Sequence, residues 1–378
     1  MHHHPQRPSR LNGAPMRIAQ IAPLAESVPP KLYGGTERVV AWLVDELVEL
    51  GHDVTLFASG DSHTRARLHP VWPRALRLSR PAADPNAAWA VLLETISQQA
   101  GDFDLIHAHI DWLHLPLLTR SGVPFLTTIH NRLDLPGLSD VLKAFPGACF
   151  VSISDSQRQP LQHANWCGTV YHGLPTDLFR PSFERGSYLA FLGRLTAEKG
   201  PEAAIRIAGA AGMPLRIAAK IPRSETGYFK RHIEPQIDGK DIQLVGEVDE
   251  RSKQPFLAEA AALLFPINWP EPFGLVMIEA MACGTPVIAY RAGSVPEVVE
   301  HGVTGFIVET EDEAVQAAKD IDRIDRRRVR ARFEERFTAN RMAAAYELHY
   351  RQLLHRIDRL PGSSAVRLSR RCEARLRP

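Results

Sequence analysis

Two glutamates frame the run in this chain with the most chemical potential, Glu271-Pro-Phe-Gly-Leu-Val-Met-Ile-Glu279. The loop ending at Pro272-Phe273-Gly274 is expected to feed a helix over Gly274–Ala282, which Gly284 stops before Pro286 opens a strand. The first turn of such a helix presents unpaired N–H groups and the positive end of its dipole, ready for hydroxyls or phosphate oxygens. Glu271 stands just before that helix and Glu279 about a turn and a half inside it, so the two carboxylates can each grip a diol. The neighbours Ile278, Ala280 and Met281 make this helix buried nearly all round, and a buried glutamate needs a partner.

Three other segments carry candidate chemistry. In Phe191-Leu-Gly193-Arg194-Leu-Thr-Ala-Glu-Lys199-Gly200, two cations meet at a strand-to-helix turn. Arginine supplies a fork and lysine a point charge, which suits a diphosphate, although an exposed loop gives the same letters. Tyr33-Gly34-Gly35-Thr36-Glu37 lets backbone approach a ligand closely, but it lacks the GxGxxG spacing of a dinucleotide fingerprint and also reads as a plain tight turn. In Thr127-Thr-Ile-His130-Asn a strand delivers a histidine, which taken alone is more often structural.

Two further patterns compete with these. His107-Ala-His109-Ile-Asp111 resembles the HxHxD run of metal-dependent hydrolases, yet Trp112 follows where another ligand is needed. Asp102-Phe-Asp104 and Asp320-Ile-Asp322 are DxD triplets, the first leading into a strand and the second in a charged helix, and both read as incidental.

The elements that must position these residues alternate in type. Arg17–Ala22, Val54–Ala58, Asp104–His109, Pro124–Ile129 and Cys149–Ile153 read as strands, with a helix from about Thr36 to Leu50 closed by Gly51. A turn-rich stretch at His172–Pro181 marks a hinge near residue 175. Beyond it Ser187–Leu192, Leu215–Ala219, Ile242–Val245, Ala262–Phe265 and Pro286–Ala289 repeat the pattern, and Asp322–Leu360 is helical and long enough to cross both halves. The expectation is an α/β protein of two successive parallel-sheet domains, with ligands at the carboxyl ends of the strands in the cleft between them.

Composition narrows the class. The 378 residues favour two domains over one, and 45 Lys plus Arg against 43 Asp plus Glu leave a net charge of +2, which argues against a nucleic-acid binder. No run reaches the roughly 18 apolar residues of a membrane span, so a soluble, cytoplasmic protein is expected, with at most peripheral membrane contact. The four cysteines Cys149, Cys167, Cys283 and Cys372 show no CxxC spacing and suggest neither a disulfide framework nor a zinc knuckle. Residues 1–15 read as a disordered leader, and 361–378, with five arginines and one glutamate, as a disordered basic tail.

Taken together, the motifs resemble glycosyltransferase family 4. The resemblance rests on Glu271-x7-Glu279 with Pro-Phe-Gly-Leu, on Gly193-Arg194…Glu198-Lys199-Gly200, and on Gly293-Ser-Val-Pro-Glu297…Gly302-Val-Thr-Gly305, and it extends from about Met16 to Leu354. It implies the GT-B fold: an acceptor-side domain over 16–176, a nucleotide-sugar domain over 177–340, and a helix over 341–360 crossing back to the first. It also implies hexose transfer with retention of configuration, without metal or cofactor. Glu271 would bind the donor sugar, helped by amides at Phe273, Gly274 and Leu275, and Glu279 the ribose diol. Arg194 and Lys199 would neutralise the diphosphate, Gly34 and Gly35 would lie near the phosphates, and His130 beside the reacting carbon. His172-Gly-Leu-Pro departs from the usual Asn-Gly-Val-Asp at the hinge. The first domain is similar to bacterial members described as UDP-glucose:tetrahydrobiopterin glucosyltransferases. That places UDP-glucose ahead of GDP-mannose as donor and leaves the acceptor open among a pterin, a sugar and a lipid-linked acceptor. The runners-up are a metal-dependent hydrolase at His107, His109 and Asp111, and a silent nucleotide-sugar-binding protein.

Overall fold

Among the described residues, thirteen short and mostly apolar strands pair in parallel into two separate sheets. The computed structural model describes residues 13–31, 34–77, 79–80 and 82–359; Tyr33, most of the leader and the tail 361–378 lie outside them. The first sheet comprises β1 (Arg17–Ile21), β2 (Asp53–Ser59), β3 (Arg67–Trp72), β4 (Leu105–Ala108), β5 (Phe125–Thr128), β6 (Cys149–Ser152) and β7 (Trp166–Thr169). The second comprises β8 (Tyr188–Arg194), β9 (Leu215–Lys220), β10 (Ile242–Gly246), β11 (Ala260–Phe265), β12 (Val287–Tyr290) and β13 (Gly305–Val308). Their orders are β3-β2-β1-β4-β5-β6-β7 and β10-β9-β8-β11-β12-β13, so each sheet reverses direction once, between β1 and β4 and between β8 and β11. A crevice forms at such a reversal, because the connecting helices there leave to opposite faces. Three strands escape the sequence pattern: β3, β7 and β13. Each is an edge strand, paired on one side, and the first two carry Pro70 and Gly168 in place of an apolar run.

One expectation is corrected. Cys149 and Cys167 form a disulfide between the neighbouring strands β6 and β7, with their Cα atoms 5.9 Å apart. The spacing of 18 residues is set by a βαβ crossover and carries no local signature.

The chain passes between the two sheets twice, side by side. Leu174 N–H donates to Phe337 O (2.9 Å) and Ala339 N–H donates to Leu174 O (2.8 Å), with Leu174 and Phe337 both fully buried. Any Cβ at Gly173 would collide with the Thr338 carbonyl, so glycine is what lets the strands of the hinge touch. This crossing divides the arginine-rich segment into the helices Arg326–Arg336 and Ala339–Asp358. The first is anchored by burial of arginine: Arg326 donates to the carbonyls of Ser182 (2.8 Å), Ala260 (2.7 Å) and Ala258 (2.8 Å) and to Thr285 Oγ1 (2.8 Å). The second lies on the first domain, where Tyr350 and Tyr346 reach a buried histidine network.

That network closes on itself. His107 Nδ1 meets Tyr350 Oη (2.7 Å) and its Nε2 meets Thr128 Oγ1 (2.8 Å), while Thr128 Oγ1 meets Tyr346 Oη (3.0 Å). His109 Nε2 meets Gln20 Oε1 (2.9 Å), and Gln20 donates from Nε2 to Tyr350 Oη (3.1 Å). A carbonyl oxygen only accepts, so His109 carries its proton on Nε2, and its bare Nδ1 accepts from His130 Nε2–H at 2.9 Å. Burial holds all these rings neutral, pushing His114 and His130 down to about 3 and His107, His109 and His172 well below the usual histidine value.

Two measurements follow. Arg326→Met keeps the apolar stem but orphans three carbonyls, and is expected to cost at least about 3 kcal/mol in chemical denaturation. A histidine whose pKa falls on folding leaves the native state with fewer bound protons than the unfolded chain below about pH 6.5. Stability is therefore present above that pH and lost as the pH drops toward 3, by up to about 1.4 kcal/mol per pH unit for each such ring. Calorimetry should show a melting temperature that declines from pH 6.5 to pH 5; a flat profile there would contradict the neutral network.

Candidate active site

The carboxyl ends of β1, β5, β8 and β11 open onto one cleft of ≈ 840 Å³ between the domains. Its walls bring together every site residue read from the sequence: Gly34, Gly35, His130, Arg194, Lys199, Glu271, Phe273, Gly274, Leu275 and Glu279. Gly34 packs against Pro30, which a Cβ would meet at 2.7 Å, and Gly35 faces Leu275 across the cleft, where a Cβ would sit 3.5 Å from its Cδ1.

Glu271 is held from three sides. Lys199 Nζ forms an ion pair with its Oε2, each side chain about an eighth exposed (13% and 12%). Lys199 also lies over the Trp269 ring, 4.7 Å from its centroid, and Arg132 approaches the same ring at 5.5 Å. Behind it, Gly293 adopts φ +52 and presses its backbone onto that of Glu271, where any Cβ would collide, while Ser294 N–H donates to Glu271 O (3.0 Å). The turn that follows is fastened by hydroxyls, Ser294 Oγ donating to Phe273 O (2.8 Å) and Ser154 Oγ of the first domain to Pro272 O (2.6 Å). Gly274 then takes φ +77, a left-handed conformation that costs little only for glycine, and starts the helix Leu275–Ala282 with its first turn in the cleft wall.

Glu279 is buried and does find partners: Lys253 Nζ at 2.6 Å and Arg38 Nη1 at 3.8 Å, with Arg38 Nε also 3.3 Å from Glu250. Arg38 comes from the first domain and Lys253 from the helix Glu250–Ala258, which precedes β11. Their pairing with Glu279 joins segments far apart in the chain, so no local motif announces it. Trp269, two residues before Glu271-Pro-Phe-Gly, is a further wall residue outside the sequence motifs, and its indole forms an aromatic floor under Lys199. Arg194 is more open, paired with Glu198 at 3.2 Å with both side chains over a third exposed.

His130 lines the cleft; its Nε2 donates to His109, and its Nδ1 is buried with no described hydrogen-bond partner. His172 stacks on it with centroids 5.2 Å apart and touches Phe273 edge-on at 4.9 Å. The hinge departure at His172 is thus part of the site wall. The metal-hydrolase alternative is corrected by the same contacts. His107 and His109 spend all four ring nitrogens on Tyr350, Thr128, His130 and Gln20, and Asp111 is paired with Asn131 (3.1 Å). Among the described residues no three His, Cys, Asp or Glu side chains converge on a metal position. Of the DxD triplets, Asp104 pairs with Arg17 (3.0 Å) and Asp322 with Arg185 (2.8 Å), neither pair lining the cleft.

Comparison with known proteins agrees with this geometry. Residues 33–177 match the model of Glycosyltransferase Family 4, and residues 179–339 that of Glycosyl transferases group 1. The N-acetyl-alpha-D-glucosaminyl L-malate synthase of Bacillus anthracis is 36% identical over 126 residues, 30% of this chain and only 33% of that protein. The D-inositol 3-phosphate glycosyltransferase 1 of Catenulispora acidiphila is 25% identical over 81% of this chain and 87% of its own. Among solved structures, AviGT4, a glycosyltransferase involved in avilamycin A biosynthesis, superposes with a TM-score of 0.69 at 24% identity, covering 90% of this chain and 98% of that one. Anabaena Alr3699/HepE in complex with UDP-glucose does so with a TM-score of 0.67 at 17% identity, covering 91% and 100%. With both halves matched and the GT-B arrangement of two facing parallel-sheet domains in place, the chain belongs to the glycosyltransferases of family 4.

Proposed function

We propose that the protein moves a hexose, glucose from UDP-glucose, onto an acceptor hydroxyl with retention of configuration and without a metal ion. The observation that carries this reading is Lys199 and Glu271 locked together over Trp269 beside the first turn of the helix Leu275–Ala282. One wall of the cleft so offers a cation for a leaving diphosphate and a carboxylate for sugar hydroxyls. UDP-glucose is the donor held in one structural neighbour, at a likeness that speaks for the fold alone.

In this reading the bond between the anomeric carbon and the diphosphate oxygen breaks, and its electron pair goes to the diphosphate. Lys199, Arg194 and the amides of Phe273, Gly274 and Leu275 stabilise that charge in a partly dry cleft. Glu271 accepts hydrogen bonds from the sugar, and Glu279, oriented by Lys253 and Arg38, accepts from the ribose diol. His130, in the cleft wall, lies beside the reacting carbon. The acceptor oxygen bonds to that carbon on the face the diphosphate leaves, and the departing phosphate takes the acceptor's proton. Closure of the domains keeps water out of the reaction. Tetrahydrobiopterin is one candidate acceptor, on the likeness of the first domain.

Lys199→Ala and Glu271→Ala are each expected to lower kcat at least about 100-fold, in line with roughly 2.7–4 kcal/mol per lost electrostatic contact, with unchanged circular dichroism. Near-wild-type turnover in either variant refutes these roles. In a thermal-shift series UDP should raise the melting temperature more than ADP or GDP, because a ligand stabilises in proportion to its affinity. Equal shifts would remove the support for a uridine donor.

A further inference from the structure

A second cavity of ≈ 300 Å³ lies in the first domain and shares a wall with the donor cleft. Thr36, Glu37, Trp112, His130 and Asn131 face both spaces. Whatever occupies the smaller cavity therefore meets the donor at His130, where the reading above puts the reacting carbon. Its volume suits a single ring compound.

The chemistry of its lining is selective. Two half-buried indoles, Trp89 from the helix Pro85–Gln99 and Trp112, offer flat faces for a ring. The ionisable groups are two carboxylates and two histidines, and no lysine or arginine lines it among the described residues. Burial keeps His109 and His130 neutral, so they do not offset the acids. Asp111 is held at φ 54 and takes both its hydrogen bonds from the Asn131 side-chain amide (3.2 and 3.1 Å), leaving its other lone pairs toward the cavity. Glu37 is only 6% exposed and accepts no hydrogen bond from any other described residue. Its own backbone N–H is the one donor it has, a buried carboxylate so sparsely bonded is costly, and its cavity position supplies the remedy: a hydroxyl or amine of a ligand.

We propose that this cavity seats an uncharged, hydroxyl-bearing ring against Trp89 and Trp112, with Glu37 and Asp111 accepting hydrogen bonds from its polar edge. The proposal rests on the transferase reading and gives its acceptor class. A phosphate or carboxylate on the ring would face two acids with no countercation, a repulsion that a low-dielectric pocket magnifies. The anionic compounds named for two relatives, D-inositol 3-phosphate and L-malate, are therefore excluded here.

The test incubates the full chain with UDP-glucose and myo-inositol, D-fructose or neopterin, each alongside its monophosphate ester, and follows glycosylated products by mass spectrometry. An uncharged member is expected to react at least tenfold faster than its phosphate. Trp89→Ala and Asp111→Asn should raise the KM for that acceptor at least tenfold while the melting shift produced by UDP stays at its wild-type size. A phosphorylated member reacting as fast as or faster than its parent overturns the proposal. So does a wild-type enzyme that UDP stabilises but that glycosylates none of the uncharged members. A chain that UDP fails to stabilise at all defeats the donor reading first, and the acceptor assignment falls with it.

Discussion

Charges buried in the wall of a cleft must be compensated where they stand, and here the compensation comes from distant segments of the chain. Lys199 follows β8 and Glu271 follows β11, strands adjacent at the point where the second sheet reverses. Lys253 and Arg38 compensate Glu279 from two different domains. These pairs fix the carboxylates in place without spending all their lone pairs, and they keep a cleft crowded with acids and bases near neutrality. Binding of a diphosphate then exchanges one set of partners for another instead of stripping bare ions of water.

The same logic ties the domains to each other. Ser154 of the first domain donates to Pro272 O beside the donor loop, and Glu297 of the second accepts from the Asp155 and Ser156 amides, both at 2.7 Å, and from Tyr171 Oη at 3.0 Å. The helix Ala339–Asp358 adds a third connection, because Tyr350 sets the Gln20–His109 hydrogen bonds that leave His130 Nδ1 unprotonated. A helix formed by the last described residues thus decides the tautomer of a histidine in the cleft more than 200 positions earlier. That dependence is positional: no atom of Tyr350 enters the cleft.

Much of this was legible in the residues. Strand runs, the helix after Pro272-Phe273-Gly274 and the charged pairs around it could be read from local spacing, whereas His130 and the Gly34-Gly35 turn became site candidates only through the family resemblance; the structure gathers all ten around one cleft. What local spacing could not show was anything made by two distant segments. The disulfide joins strands across a crossover, and β3 and β7 lie at sheet edges, where one-sided pairing tolerates Pro70 and Gly168. His107 and His109 look like metal ligands in one dimension, and only their partners Tyr350, Thr128 and Gln20 show that the lone pairs are spent.

The sequence by itself determined the chemistry on offer: which side chains are acids, bases and cations, and which glycines free the backbone at Gly274 and Gly293. It also determined the alternation of elements, since apolar period and turn residues act over a few positions. Only the tertiary structure decided which charges meet, which histidine nitrogen stays bare, and that the smaller cavity is lined by acids and indoles without a cation. The reason is physical. Burial and pairing depend on neighbours in space, and the cost of an unpaired charge is set by the whole surrounding fold.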